Sequence, residues 1–319
     1  MPTIEVLRPG ALTVVQDLGR PGCGASGVPR GGAFDPWAAR AANRLVGNPD
    51  GAALLELTLA GPTLELDGVA AIALVGDPFE IEAEPVDSAG AAHLAVGMAE
   101  TFPLKGKIRL AIGRARQGVR AWLALAGGID VPEVLGSRGT DLAAGFGGHE
   151  GRALRAGDRL ECFPSLENAV GPRRREWVPA DSDPRRLRIL PGPDQRLLGS
   201  AGLEGLEAGT HRIDPRSDRR GVRLVGEPIA LVPHAPLRSQ GVLPGAVQVP
   251  PSGEPIVLGV DAPVTGGYPW VAQVIAADVG LVAHLAPGAV VRFALVDLAA
   301  AESALAERRR ELAGETVGP

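Results

Sequence analysis

The sequence predicts a mainly β protein built from two β-barrel domains with a few short helices. Three observations carry that reading. Short apolar runs recur at roughly 8–12-residue spacing with turn signals between them, the pattern of a closed or sandwiched antiparallel sheet. The 319 residues include 44 glycines and 29 prolines, residues that break helices and mark turns. Residues 164–185 lose the strand pattern and gain proline and charge, which marks a connector between two domains of ordinary size.

The N-terminal domain is expected over residues 1–170. Ile4–Leu7 and Leu12–Val15 read as strands separated by Pro9 and Gly10. The glycines and prolines from Gly19 to Gly32 form a long loop, uncommon in a compact domain unless it has a task. Asp35 suits an N-cap and Pro36 the first helical position, and Trp37, Ala38, Ala41, Leu45 and Val46 follow at helical spacing. A helix is therefore predicted over Asp35–Val46, ended by Gly47-Asn48-Pro49. Glu56 interrupts the apolar strand ALLELTLAG. Its expected place is an outward-facing position at period two, the alternative being a deliberately buried polar group. Thr63–Leu66, Ala70–Val75, Phe79–Ala83, His93–Val96, Thr101–Leu104, Ile108–Ala111, Arg120–Ala126 and Asp158–Phe163 continue as strands. Gly136–Gly151 is a second glycine-rich loop, carrying Ser137, Arg138, Thr140 and His149.

The C-terminal domain is expected over 186–296. It opens on the strand Leu187–Leu190, includes the apolar runs Ala246–Val249 and Pro255–Val260, and closes on Pro287–Phe293. Residues 297–319 form a helical tail, with Asp297–Ala313 rich in Ala, Glu, Arg and Leu as a surface helix requires.

Composition excludes several function classes. Net charge is −5, and no basic tract is flanked by aromatics, which disfavours nucleic-acid binding. Arg173–Arg175, between Pro172 and Trp177, read as a solvated face of the connector. No N-terminal apolar segment and no uncharged stretch of ~18 residues is present, so the expected location is the cytoplasm. Cys23 and Cys162 are the only cysteines, which rules out a disulfide scaffold. The histidines at 93, 149, 211, 234 and 284 have no partner at metal-ligand spacing, so no metal is expected. Cys23 has no base near it in sequence and reads as a passive thiol. Ser26, Ser217 and Ser239 lack a nucleophile-elbow context, and neither GxxxxGK[ST] nor GxGxxG occurs.

What remains is a set of loops: Gly19-Arg20, Gly31-Gly32, Ser137-Arg138, Ser217–Gly221 and Thr265–Tyr268. Arginine forks and glycine N–H nests recognise carboxylates and phosphates, so the expected ligand is an anionic small molecule or a carboxylated intermediate. In the last loop Gly266 and Gly267 are expected to take positive φ and turn their N–H groups toward a common point. Thr265 adds a hydroxyl, Tyr268 a phenol and Asp261 a carboxylate. The plainer alternative is a glycine-rich hairpin loop with a packed tyrosine.

Several long blocks occur in register. TVVQDLGRPG (13–22), GVPRGGAFD (27–35), ANRLVGN (42–48) and LELTLAGP (55–62) resemble the start of the biotin-dependent carboxyltransferase-like family. LRILPGPD (187–194), SDRRGVRLVG (217–226), SQGVLPGAVQVPPSGEPIVLGVDAPVTGGYP (239–269) and PGAVVRF (287–293) resemble its later blocks in the same order. That family includes the C components of 5-oxoprolinases, KipA proteins and a component of urea amidolyase. The resemblance implies cyclophilin-like barrels. It also implies a place in an ATP-using 5-oxoprolinase, with a KipI-like B component and a LamB/YcsF-type A component as partners. Two alternatives follow from the same family. One is carboxyl transfer from carboxybiotin to urea or another amide. The other is a KipA-like binding protein that antagonises a KipI-type kinase inhibitor.

Carried onto this chain, the resemblance points to Arg20 and Arg138 for anion contact, while Asp35 and Asn43 order the first loop and helix. Arg219, Ser239 and Gln248 would frame a pocket in the second domain. Asp261, Thr265 and Tyr268 would be its catalytic groups, beside Gly266 and Gly267 at the mouth. The chain departs from the family pattern at Arg220 and Val222, where a Met and a Tyr are usual, at Val264 in place of Thr, and at Phe34 in place of Met. These departures loosen the residue assignments around Ser217–Leu224 and suggest substrate drift.

Overall fold

A computed structural model describes residues 1–86, 96–165 and 185–314. Most of the expected strand His93–Val96, and most of the connector with Arg173–Arg175, lie outside the described residues. The chain forms two compact units, one of Met1–Arg20 with Gly31–Trp177 and one of Pro21–Arg30 with Val178–Pro319. The first glycine loop is thus divided. Its ends meet in the first unit, where the Ala33 amide donates to the Asp17 carbonyl at 2.8 Å. The segment between them, with a 3₁₀ turn at Cys23–Ser26, belongs to the second.

In the first unit β1 (Thr3–Arg8) and β2 (Leu12–Gln16) precede helix α1 (Pro36–Leu45). Then follow β3 (Leu54–Thr58), β4 (Thr63–Asp67), β5 (Ala71–Gly76), β6 (Phe79–Pro85), β7 (Phe102–Pro103) and β8 (Ile108–Ala115). The unit ends with β9 (Arg120–Leu125), β10 (Ile129–Asp130) and β11 (Arg159–Cys162). One sheet has the order β10-β11-β1-β4-β8-β6 and the other β2-β3-β9-β5-β7. The first alternates cleanly: Ile4, Val6, Leu64, Leu66 and Leu110 are buried, while Glu65 and Arg109 lie on the other face. The second is buried on both faces at β3 and β9. One face shares a core with the first sheet through Leu55, Leu57 and Leu123. The other is covered by α1, which packs on β5 and β9 with Ala38, Ala41, Ala42 and Leu45 buried. The N-terminal unit therefore takes the sandwiched arrangement rather than the closed one, with α1 as a third layer. Asp35 caps α1 as its sequence predicts, accepting from the Trp37 and Ala38 amides at 2.8 and 3.3 Å.

The burial of that second face of β3 also overturns the outward reading of Glu56. Its face of β3 is covered by the segment that leads into α1, and the residue is 0% exposed. Oε2 accepts from the Phe34 amide at 2.8 Å and from Trp122 Nε1 at 3.0 Å. Arg120 Nε lies 3.9 Å from Oε1, with its guanidinium over the Phe34 ring. A buried carboxylate needs such a set of partners.

The second unit contains β12 (Arg186–Pro191), helix α2 (Gly199–Ala208), β13 (His211–Ile213), β14 (Gly221–Val225) and β15 (Gln240–Gly241). It continues with β16 (Ala246–Gln248), β17 (Ile256–Leu258), β18 (Thr265–Gly266), β19 (Trp270–Val274), β20 (Val290–Leu295) and helix α3 (Leu298–Ala313). Seven strands close a barrel in the order β12-β19-β16-β17-β14-β13-β20, sealed by a parallel pairing of β12 with β20. β15 and β18 form a separate two-stranded ribbon. α2 was not legible in GSAGLEGLEA, because three glycines lower its helix propensity. Tertiary packing overrides that cost: a Cβ on Gly202 would lie 2.3 Å from the Ala230 carbonyl oxygen, so the close approach demands glycine. Among the described residues no helix is long and apolar enough to cross a membrane.

Two outcomes are expected from these packing facts. Glu56→Ala strips the carboxylate from beside the buried Arg120 and should cost about 3–5 kcal/mol, read by guanidinium unfolding; a loss below about 1 kcal/mol, the size of a single neutral hydrogen bond, would overturn the account. Burial pushes the Cys162 thiol up to about 12, with Asp130 adding to the effect, whereas Cys23 is partly exposed. A disulfide reagent at neutral pH should therefore titrate Cys23 alone in the native protein and both thiols in denaturant. Rapid native reaction at both would contradict it.

Candidate functional site

The second-unit pocket is built by strand alternation on the barrel. Val222, Val247 and Val257 point inward and are buried. Their neighbours project outward. Cross-strand register sets Arg223 opposite Ile256, and Ile256 opposite Gln248, so the three form one rank on the outer face, since directly paired residues share a side. Gly221 and Leu258, paired in the next rank, extend the same face. Over it lies the β15–β18 ribbon, in which Gln240 pairs with Gly266 and Gly241 with Thr265. The result is a pocket of about 360 Å³, with Ile256, Leu258, Val242 and Pro263 as its apolar part and Gln248 within. Thr265, Gly266, Gly267 and Tyr268 line one side, and Arg216, Asp218, Arg220 and Arg223 the other.

Five residues expected in a site from the sequence meet here: Gln248, Thr265, Gly266, Gly267 and Tyr268. Ser239 sits beside them, its Oγ 3.7 Å from where a Cβ on Gly267 would lie. The expected N–H nest is absent. Neither Gly266 nor Gly267 has positive φ, because Gly266 is a ribbon strand residue. The glycine is needed for space: a Cβ at 266 would come within 2.6 Å of Gln248 Nε2. Gln248 is 4% exposed, and its Nε2 donates to the Tyr268 carbonyl at 3.3 Å.

Arg219 and Asp261 occupy a different position from the one expected. Arg219 Nε donates to Asp261 Oδ2 at 2.7 Å and Nη2 to Oδ1 at 3.0 Å, with both side chains 5% exposed. Asp261 is thus no free carboxylate at a mouth, and Arg219 no free anion fork. Together they tie the turn before β14 to the segment that leads into β18. That turn is internally paired as well. Asp214 accepts from the Arg216 guanidinium, which holds the carboxyl down at about 2. Asp218 accepts from the Arg220 guanidinium at 2.9 Å. Arg223 differs from both, because its guanidinium makes no hydrogen bond or ion pair among the described residues. Sequence reasoning passed over it. Its signal was the alternation of GVRLV, which sends Arg223 out of the barrel between two buried residues.

Arg20 and Arg138 belong to the first unit. Arg20 is 1% exposed, donates through Nη2 to the Gly139 carbonyl at 2.5 Å, and lies over the Phe146 ring. Its Nε and Nη1 have no partner among the described residues. Arg138 is paired with Glu133 and stacked on Phe163, while its amide donates to Asp17 Oδ2 at 2.6 Å. Among the described residues no group of three His, Cys, Asp or Glu side chains is placed to hold a metal ion.

Comparison with known proteins adds an independent line. Residues 26–295 match the family described as carboxyltransferase domain, subdomain A and B. The C subunit of Escherichia coli 5-oxoprolinase is 38% identical over 310 residues, which span 96% of each chain. The Kluyveromyces lactis urea carboxylase structure superposes with a TM-score of 0.86 at 29% identity, covering 99% of this chain and 29% of that one. A crystal structure of TTHA0988 superposes with a TM-score of 0.78 at 35% identity, covering 92% of this chain and 56% of that one. The chain thus spans nearly the whole of the bacterial 5-oxoprolinase component, about half of TTHA0988 and under a third of the carboxylase.

The Arg219–Asp261 pair makes a test of the pocket's support. Arg219→Met should cost about 3–5 kcal/mol by stranding the carboxylate, and adding Asp261→Leu should restore most of it, as apolar replacement of both partners does for buried pairs. Denaturant unfolding of the single and double variants checks this. A double variant no more stable than the single would show that the two residues do not act as a pair.

Proposed function

The chain belongs to the carboxyltransferase domain family, subdomain A and B, and from that premise we propose that it is the C component of a multi-subunit, ATP-dependent 5-oxoprolinase. The observation that carries the reading is the match to the bacterial 5-oxoprolinase component, which runs along nearly all of both chains. The proposed reaction opens 5-oxo-L-proline to L-glutamate in the cytoplasm. A lactam is a poor electrophile. Transfer of the ATP γ-phosphoryl group to the amide oxygen supplies a leaving group, and water then attacks the carbonyl carbon. The ring C–N bond breaks as the nitrogen takes a proton, which leaves an acyl phosphate of glutamate, and a second water releases phosphate to give L-glutamate. Charge developing on the oxygen calls for fixed donors. A KipI-like B component and a LamB/YcsF-type A component would complete the assembly.

A second reading is favoured by the backbone likeness to urea carboxylase: carboxyl transfer from carboxybiotin to an amide nitrogen. It requires a biotin carrier outside these 319 residues, because neither Met1 nor Met98 precedes a lysine.

Co-purification of this chain with candidate A and B components, followed by addition of 5-oxoproline and ATP, separates the readings. Glutamate should appear only when all three components and ATP are present. Turnover that instead requires urea or another amide together with biotin and bicarbonate would move the protein to carboxyl transfer. Tight binding of the B component with no amide turned over would leave the KipA-like regulatory role.

A further inference from the structure

A lactam differs from an open-chain secondary amide in one geometric respect. Its ring holds the amide cis, so N–H and C=O lie on the same edge. The complement to that edge is another planar group with one acceptor and one donor side by side, which among the side chains only Asn and Gln supply. Gln248 is such a group and sits within the second-unit pocket. It is 4% exposed and fixed by packing beneath Gly266. One Nε2 hydrogen is spent on the Tyr268 carbonyl, which leaves the second. Nothing among the described residues donates to Oε1.

The rest of the pocket fits the rest of a cyclic amino-acid lactam. Across the rank from Gln248, two strands away, stands Arg223, so the two backbones are separated by about 9–10 Å at the usual strand spacing. Between them Ile256 offers an apolar surface on which a five-membered ring can lie. The charge balance selects the ligand further. Arg216 and Arg220 are each matched by an aspartate of their own turn. Arg223 lies in the field of Asp214, which is already paired with Arg216, and makes no ion pair of its own, so the pocket keeps one guanidinium with open donors. A ring with one carboxylate satisfies it.

Resting on the 5-oxoprolinase reading, we infer that the second-unit pocket is the substrate subsite for a lactam carboxylate. Gln248 pairs with the cis-amide edge through Oε1 and Nε2, Arg223 holds the carboxylate, and Ile256 supports the ring methylenes. This arrangement selects the closed ring over glutamate, whose side-chain carboxylate offers acceptors but no N–H beside them.

The test is binding to the full chain, measured by calorimetry or saturation-transfer NMR, with four probes: 5-oxo-L-proline, pyrrolidin-2-one, cyclopentanecarboxylate and L-glutamate. Gln248→Leu should weaken 5-oxoproline by about tenfold or more, as loss of two hydrogen bonds implies, and leave cyclopentanecarboxylate unchanged. Arg223→Ala should weaken 5-oxoproline and cyclopentanecarboxylate alike and leave pyrrolidin-2-one unchanged. Arg223 is exposed, so its variant keeps the inference testable should Gln248→Leu fail to fold. Equal binding by wild type and both variants, or no 5-oxoproline binding to the wild-type chain at millimolar concentration, overturns it. The assembled complex separates this from the parent reading. If wild-type complex makes glutamate and both variants keep its KM, the subsite is wrong and the function stands. If wild-type complex makes none, the function is wrong, and the binding series alone decides the pocket.

Discussion

The pocket depends on one ion pair it does not display. Arg219 and Asp261 join the turn that precedes β14 to the segment that precedes β18, through two side-chain bonds. Two backbone bonds reinforce the joint, from the Gly259 amide to Arg220 and from the Asp261 amide to Arg219, at 3.0 and 3.1 Å. Each tied segment supplies one wall, with Asp218 and Arg220 on one side and Pro263 and Thr265 on the other. A buried pair of this kind adds little net stability, because desolvation consumes most of the Coulomb gain. What it fixes is geometry: the bidentate fork permits a narrow range of distance and angle, and so sets the spacing of the walls.

Why the pocket lies outside the barrel follows from the barrel's own size. Seven short strands enclose a space that side chains fill, and Val222, Val247 and Val257 fill part of it. A ligand has to use the outer face. An outer face alone is a flat patch of sheet, and the β15–β18 ribbon makes it concave. The ribbon can lie close because position 266 carries no side chain where Gln248 rises to meet it. Strand alternation, ribbon and glycine are therefore parts of a single construction. Val222, one of the departures from the family pattern, falls inside the barrel, while Arg220, the other in that block, falls on the pocket rim. Drift in substrate preference can act through the second and not through the first.

Much of this architecture was legible in the residues, for physical reasons that can be named. Asp35-Pro36 announced α1 because capping and a fixed φ are local properties. The strands of the first sheet could be read because one face is wet, which leaves a period of two in TLELD. What could not be read depends on contacts distant in sequence. Glu56 looked solvent-facing until Phe34, in the segment that leads into α1, was laid over it. The Gly266-Gly267 pair suggested unusual φ, but its need is steric, and the atom it makes room for lies 18 positions away on Gln248. Asp261 and Arg219 were both picked out as polar groups of a site. Only the fold shows that they are spent on each other. Arg223 escaped notice for the converse reason, since a charge in a short alternating strand is ordinary until its neighbours prove to be paired and it does not.

The same charge accounting bears on how the proposed reaction is shared within the assembly. Of the arginines lining the pocket, Arg216 and Arg220 are committed to Asp214 and Asp218, and the Arg219 beneath is committed to Asp261. One guanidinium remains. A triphosphate carries several negative charges and is bound elsewhere in biology by glycine-rich loops, lysine and a metal ion, whereas Asp218 places a negative charge on this rim. A monoanionic lactam acid suits the pocket, and a nucleotide does not. On the proposed 5-oxoprolinase reading, then, this pocket would hold the molecule to be opened and not the phosphoryl donor. A pocket of that kind would be inert by itself for a physical reason: it can orient the amide, but converting the amide oxygen into a leaving group needs a phosphoryl donor that the pocket's charge does not suit.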